Sequence, residues 1–200
     1  MIWVKTCGLR TGSDVAAAVD AGADAVGFVL AAQSPRRVTE AEARELAFDV
    51  PLLSVIVTVG FTPEALLAAA AYTGVRGVQP HGEHRREAAD AAQQEGLFVL
   101  HPLAVRDRVD LSEIPDGQTP LLDSFRVGAH GGTGELFDWD VLLGIERRYV
   151  LAGGLGPDNV ALAIRNVDPW GVDASSGLES SPGVKDPGRI RDFVERARGR

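Results

Sequence analysis

The chain has 200 residues, 45% of them hydrophobic and 24% charged, and chains of this size bury roughly 70% of their unfolded surface, so one globular domain spanning residues 1–200 is expected. Twenty Lys and Arg against 28 Asp and Glu give a net charge of −8, the wrong sign for a broad nucleic-acid-binding face. The single cysteine excludes an intrachain disulfide framework, and no Cys/His cluster has zinc-ligand spacing.

Lys5 interrupts the amino-terminal apolar run that a signal peptide would continue, and no stretch of about 18 apolar residues marks a membrane span. A cytoplasmic protein with neither membrane nor nucleic-acid partner is the expectation. Monomer and homodimer both remain open.

From the amino terminus onward, short β-branched or apolar runs alternate with longer Ala-rich amphipathic segments, the pattern of repeated βα units around a parallel sheet. Strands are expected near residues 2–6, 25–30, 52–58, 75–79, 97–101, 119–123, 149–152 and 170–173, with boundaries good to about two to four residues. Thr39 and Glu42 form a capping-box pattern for a helix through Leu46, and Pro63 after Thr62 marks a second helix start. Residues 102–118 hold two prolines, a glycine and many charges, so the connection after the fifth strand is expected to be irregular.

Eight short parallel strands in so small a domain favour closure, which removes both sheet edges. The fold class is therefore α/β, a (β/α)8 TIM barrel. A doubly wound open sheet is the alternative, but no Rossmann glycine fingerprint occurs. Gly131-Gly132-Thr133-Gly134 is followed by Glu135 rather than Lys-Ser or Lys-Thr, which fails as a P-loop.

In such a barrel the loops after the strands gather at one face. Cys7-Gly8, Ser34-Pro35-Arg36, Gln79 with His81, Asp123, Gly153-Gly154 and Ser175-Ser176-Gly177 all fall there. The last two groups follow the seventh and eighth strands, the usual phosphate site of these barrels. Each residue also has a bland reading: Cys7 as a small buried hydrophobe, Asp123 as an Asx turn, Arg36 as a solvated loop charge, His81 as a satisfied polar residue. Lys5 either lends Cys7 positive potential or is structural. Trp3, Trp139 and Trp170 read as packing residues, and His84, His101 and His130 have no comparable placement.

Lys5-Thr6-Cys7-Gly8, Gly27-Phe28-Val29 with Ser34-Pro35-Arg36, Val78-Gln79-Pro80-His81-Gly82, Leu121-Leu122-Asp123-Ser124, Gly131-Gly132-Thr133-Gly134, Phe137-Asp138-Trp139, Leu151-Ala152-Gly153-Gly154-Leu155 and Val172-Asp173-Ala174-Ser175-Ser176-Gly177-Leu178-Glu179 follow one another along almost the whole chain. In that order they resemble the phosphoribosylanthranilate isomerase family of tryptophan biosynthesis. The resemblance implies an Amadori rearrangement of N-(5'-phosphoribosyl)anthranilate, with Cys7 as general base, Asp123 as general acid and Arg36 on the substrate carboxylate. Backbone N–H groups around Gly153, Gly154, Ser175 and Ser176 are then expected to hold the phosphate, and His81, by its placement, is either a further ligand or a satisfied polar residue. Such proton shuffling needs no cofactor and no metal.

A histidine-pathway isomerase performing the same rearrangement would carry aspartate where Cys7 stands. A barrel that binds a sugar phosphate without turnover is the reading from another class. The sequence departs from the family pattern at Thr6, Thr58, Gly60 and Pro80, changes that bear on the width of the aglycone pocket. The glycine-rich segment 128–134 is a plausible mobile loop.

Overall fold

A computed structural model of the chain describes residues 1–105, 109–123 and 139–199. Eight parallel strands close into a barrel in sequence order: β1 (Trp3–Cys7), β2 (Ala25–Val29), β3 (Leu53–Val59), β4 (Gly77–His81), β5 (Phe98–Ala104), β6 (Thr119–Asp123), β7 (Val150–Ala152) and β8 (Gly171–Ala174). Each expected strand is present. The fourth begins two residues later than expected, and the fifth runs on to Ala104 because its ladder with β6 continues to the Ala104–Asp123 pair.

Six α-helices lie among the described residues: α1 (Gly12–Ala21), α2 (Glu40–Ala47), α3 (Pro63–Thr73), α4 (Arg85–Gln94), α5 (Val160–Val167) and α6 (Pro187–Ala197). Thr39 and Glu42 do form the capping box that starts α2, and Thr62 caps α3 with Pro63 in its first turn. Such caps stabilise a helix end by about 1 kcal/mol. Thr11 and Asp14 make a second capping box at α1. Among the described residues no helix is long and apolar enough to cross a membrane.

Strand side chains alternate between two cores. Val4, Val26, Phe28, Ile56, Val78, Val99, Leu122, Leu151 and Val172 face the helices, where they meet Leu66, Ala88, Ala92, Ile190 and Phe193. Val55, Leu100, Leu121 and Val150 fill the barrel itself. Trp3 and Trp170, their ring centroids 5.3 Å apart, stack at its amino-terminal end, which bears out their packing role.

No helix occurs among the described residues between β5 and β6. Arg147 organises that stretch instead, donating to the carbonyls of Leu111 (3.1 Å), Ile114 (2.5 Å), Pro115 (2.7 Å) and Gln118 (3.0 Å). Gln93 and Gln118 tie the same stretch to α4 through Asp116 O and Asp90 Oδ1. His101 is buried against Gln118, 2.7 Å from its Oε1, and is structural. Ser124, His130, the segment 128–134 and the Phe137-Asp138 pair lie outside the described residues.

Candidate active site

Period-two alternation decides which side chains line the carboxyl-terminal mouth. Because Val4 and Val78 face the helices, Lys5 and Cys7 on β1, and Gln79 and His81 on β4, point inward. By the same parity Leu121 and Asp123 point inward on β6 and Asp173 on β8. Cys7, His81 and Asp123 thus end three inner strand faces at one mouth. Lys5, Gln79 and Asp173 lie one layer deeper.

These deeper groups are linked. The Lys5 ammonium, with none of its surface exposed, donates to Asp173 Oδ2 at 2.9 Å and to Gln79 Oε1 at 3.0 Å. Burial opposes its charge, yet the Asp173 carboxylate, together with the Cys7 sulfur, holds Lys5 above its ordinary range. Since an ammonium only donates, Gln79 must offer it oxygen and turn its NH2 toward His81 Nε2, 3.0 Å away. His81 Nε2 is then an acceptor and its ring proton sits on Nδ1. Burial, followed by the charges of Lys5 and Arg85, lowers the imidazole to about 4, so His81 is neutral near pH 7.

Cys7 is buried at the end of β1. Burial pushes its thiol up, while the charge of Lys5 pulls the other way. Gly8 follows in a left-handed conformation at φ +75°, and a Cβ there would stand 2.7 Å from Arg36 Cδ and 3.0 Å from Ser175 Oγ. The missing side chain lets the Arg36 stem cross the backbone beside Cys7.

Arg36 itself is committed to a carboxylate of this chain. Its Nε and Nη2 meet Glu179 Oε1 and Oε2 at 2.6 and 2.9 Å. Glu179 also accepts from Lys185 Nζ at 2.9 Å, and the Arg36 and Lys185 contacts hold its carboxyl below the usual range although burial opposes them. Lys185 stands in a small hairpin, β9 (Glu179–Ser181) with β10 (Val184–Lys185), after the barrel closes. Asp173, Glu179 and Lys185 had no role assigned from sequence. The inward parity of Asp173, two residues before Ser175, was the signal for the first, and the Ser181-Pro182-Gly183 turn was a weaker one for the hairpin.

The loops after β7 and β8 touch through their backbones: a Cβ on Gly177 would run into Leu155 and come within 2.9 Å of Gly156 Cα. Asn159 ties the first loop down, accepting from Gly156 N at 2.9 Å and donating to Gly154 O at 3.0 Å. Lys185 Nζ donates to Ser175 O at 2.9 Å, so across the trans peptide the Ser176 N–H points away from that ammonium. Ser176–Leu178 is only a 3-10 turn, so this loop carries no long helix dipole. Among the described residues no group of three or more His, Cys, Asp and Glu is placed to hold a metal.

A family model described as N-(5'phosphoribosyl)anthranilate (PRA) isomerase matches residues 4–196. The chain belongs to the phosphoribosylanthranilate isomerase family. The N-(5'-phosphoribosyl)anthranilate isomerase of Rubrobacter xylanophilus is 43% identical over 99% of this chain and 100% of its own length. The solved structure of phosphoribosylanthranilate isomerase from Thermotoga maritima is 35% identical, covers 100% of both chains and superposes with a TM-score of 0.88. A second solved phosphoribosylanthranilate isomerase, in complex with reduced 1-(o-carboxyphenylamino)-1-deoxyribulose 5-phosphate, is 33% identical over 100% of both chains with a TM-score of 0.84.

Within this family three of the unusual residues prove remote from the pocket. Parity turns Thr6, Thr58 and Pro80 toward the helices, all three buried, with Thr58 and Pro80 paired across the β3–β4 ladder. The expectation that they alter pocket width is corrected for these positions. Gly60, just past the end of β3, is the one that remains at the mouth.

Proposed function

We propose that this chain, as a single domain spanning 1–200, catalyses the Amadori rearrangement of N-(5'-phosphoribosyl)anthranilate to 1-(o-carboxyphenylamino)-1-deoxyribulose 5-phosphate, a step of tryptophan biosynthesis. The observation that carries this reading is the placement of Cys7 and Asp123 at the ends of two inward strand faces in a chain of this family.

The Asp123 carboxyl protonates the furanose ring oxygen. The C1'–O4' bond breaks, and the nitrogen lone pair forms a C=N bond to C1'. The Cys7 thiolate then removes the proton at C2', and the C–H electrons form the C1'=C2' bond of an enolamine. Return of a proton to C1' and loss of one from the C2' hydroxyl give the ketone. C2' is oxidised as C1' is reduced, so the electrons balance inside the substrate. Each positioned proton transfer contributes on the order of 10²–10⁴ in rate.

Two of the five guanidinium N–H groups of Arg36 are taken by Glu179, which leaves the outer Nη edge for the anthranilate carboxylate. His81 donates through Nδ1. Backbone amides around Gly153, Gly154, Ser175 and Ser176 take the phosphate. Incubation of the purified protein with phosphoribosylanthranilate, with product followed by chromatography, tests the assignment. Formation of the aminoketose is expected, and binding without conversion would favour the non-catalytic barrel.

A further inference from the structure

A buried ammonium costs several kcal/mol unless it is paired, and a barrel interior is more cheaply filled by apolar side chains. Lys5 nevertheless occupies the layer directly beneath Cys7, two residues earlier on the same inward face. Gly27, on the adjacent strand β2, leaves the space that the two share: a Cβ there would lie 2.7 Å from Cys7 Sγ and 3.2 Å from Lys5 Cε. Any larger residue at 27 would come between sulfur and cation. Asp173 and Gln79 accept two of the three Lys5 protons, and the Cys7 thiol stands in the next layer above, across the space that Gly27 leaves open.

We infer that Lys5 is a positioning residue that stabilises the Cys7 thiolate, with Asp173 and Gln79 holding the ammonium under the sulfur. This rests on the assignment of Cys7 as general base. A thiol buried in an apolar site alone is a poor base, because burial favours its neutral form. The other charges near Cys7 act on it less favourably than Lys5 does. From β8, Asp173 opposes thiolate formation, and from β10, Lys185 favours it more weakly than Lys5. Lys185 also spends two of its protons on Ser175 O and Glu179. Arg36 is paired with Glu179, and β2 presents Gly27 and Val29 on the Cys7 side.

Cys7 is the only cysteine in the sequence, so ultraviolet thiolate absorbance against pH reads this one group, with the Cys7→Ser protein as blank. Lys5→Met should raise the titration midpoint by about one pH unit or more, and Lys5→Arg should restore part of the shift. Lys5→Met leaves Asp173 unpaired and is at risk of misfolding. The Lys5→Met, Asp173→Asn double variant removes both charges, and its midpoint should still lie above the parent's, because Lys5 acts on the thiol more strongly than Asp173 does. An unchanged or lower midpoint in either folded variant would overturn the inference. The titration does not depend on turnover, so it stands apart from whether Cys7 is the base in catalysis.

Discussion

Arg36 and Glu179 form a two-point ion pair at 2.6 and 2.9 Å, and the carboxylate in it is further held by Lys185. A guanidinium braced on one edge presents its other edge in a fixed direction, which reduces the entropy lost when a second carboxylate binds. Arg36→Ala should weaken binding of a carboxylated product analogue far more than binding of the same molecule lacking the carboxylate. Glu179→Gln, which loosens the brace but keeps the guanidinium, should raise KM by about 10-fold with a smaller change in kcat. Equal losses for both analogues would reduce Arg36 to a general electrostatic contributor.

The proposed phosphate site should depend on backbone more than on hydroxyls. Gly154 has φ +67° with nothing within 4 Å of a built Cβ, so valine there is opposed by backbone strain rather than by a clash. Gly154→Val should weaken inorganic phosphate binding at least about 10-fold, whereas Ser176→Ala should cost about 0.5–1.5 kcal/mol, the worth of a typical neutral hydrogen bond. Calorimetric titration of phosphate into the folded variants reads both, and parental affinity in Gly154→Val would remove the site from this loop.

His81 titrates near 4 in the folded chain against about 6.5 when unfolded. The unfolded state therefore binds more protons between those values, and this contribution to stability is complete above about pH 6.5 and lost as pH falls toward 4. Urea unfolding of the parent and of His81→Gln at several pH values should show the parent losing more stability on acidification. Parallel pH curves would mean that His81 is not held neutral.

Arg147 holds the described stretch between β5 and β6 by donating to four carbonyls. Arg147→Met leaves those acceptors without their partner, and a loss of about 2–3 kcal/mol is expected from urea unfolding, since hydrogen bonds to charged groups are stronger than neutral ones. An unchanged unfolding midpoint would show that water serves the loop as well.

Much of the site was legible because strand parity and strand ends are local facts. The runs before Cys7, His81 and Asp123 placed all three at one barrel mouth, and the glycines and serines after β7 and β8 marked two adjoining loops. The same alternation shows that Thr6, beside Cys7, must face the helices, so the error over Thr6, Thr58 and Pro80 came from treating neighbours in sequence as neighbours in the pocket. Other features depend on long-range closure. Lys5 meets Gln79 and Asp173 only when β1 lies between its barrel neighbours and across from β4, and Glu179 meets Arg36 only because the chain returns to the start of the barrel. Nothing in the charge pattern near Arg147 announces that its partners are carbonyls some thirty residues earlier.

The proposed roles of Cys7 and Asp123 are tested most directly by the kcat of Cys7→Ala and Asp123→Asn with phosphoribosylanthranilate, measured beside the parent on proteins whose circular dichroism and melting show the barrel intact. Loss of a positioned acid or base should lower kcat at least about 10²-fold in each. A near-parental kcat in either folded variant would contradict the role given to that residue, and in both would contradict the mechanism.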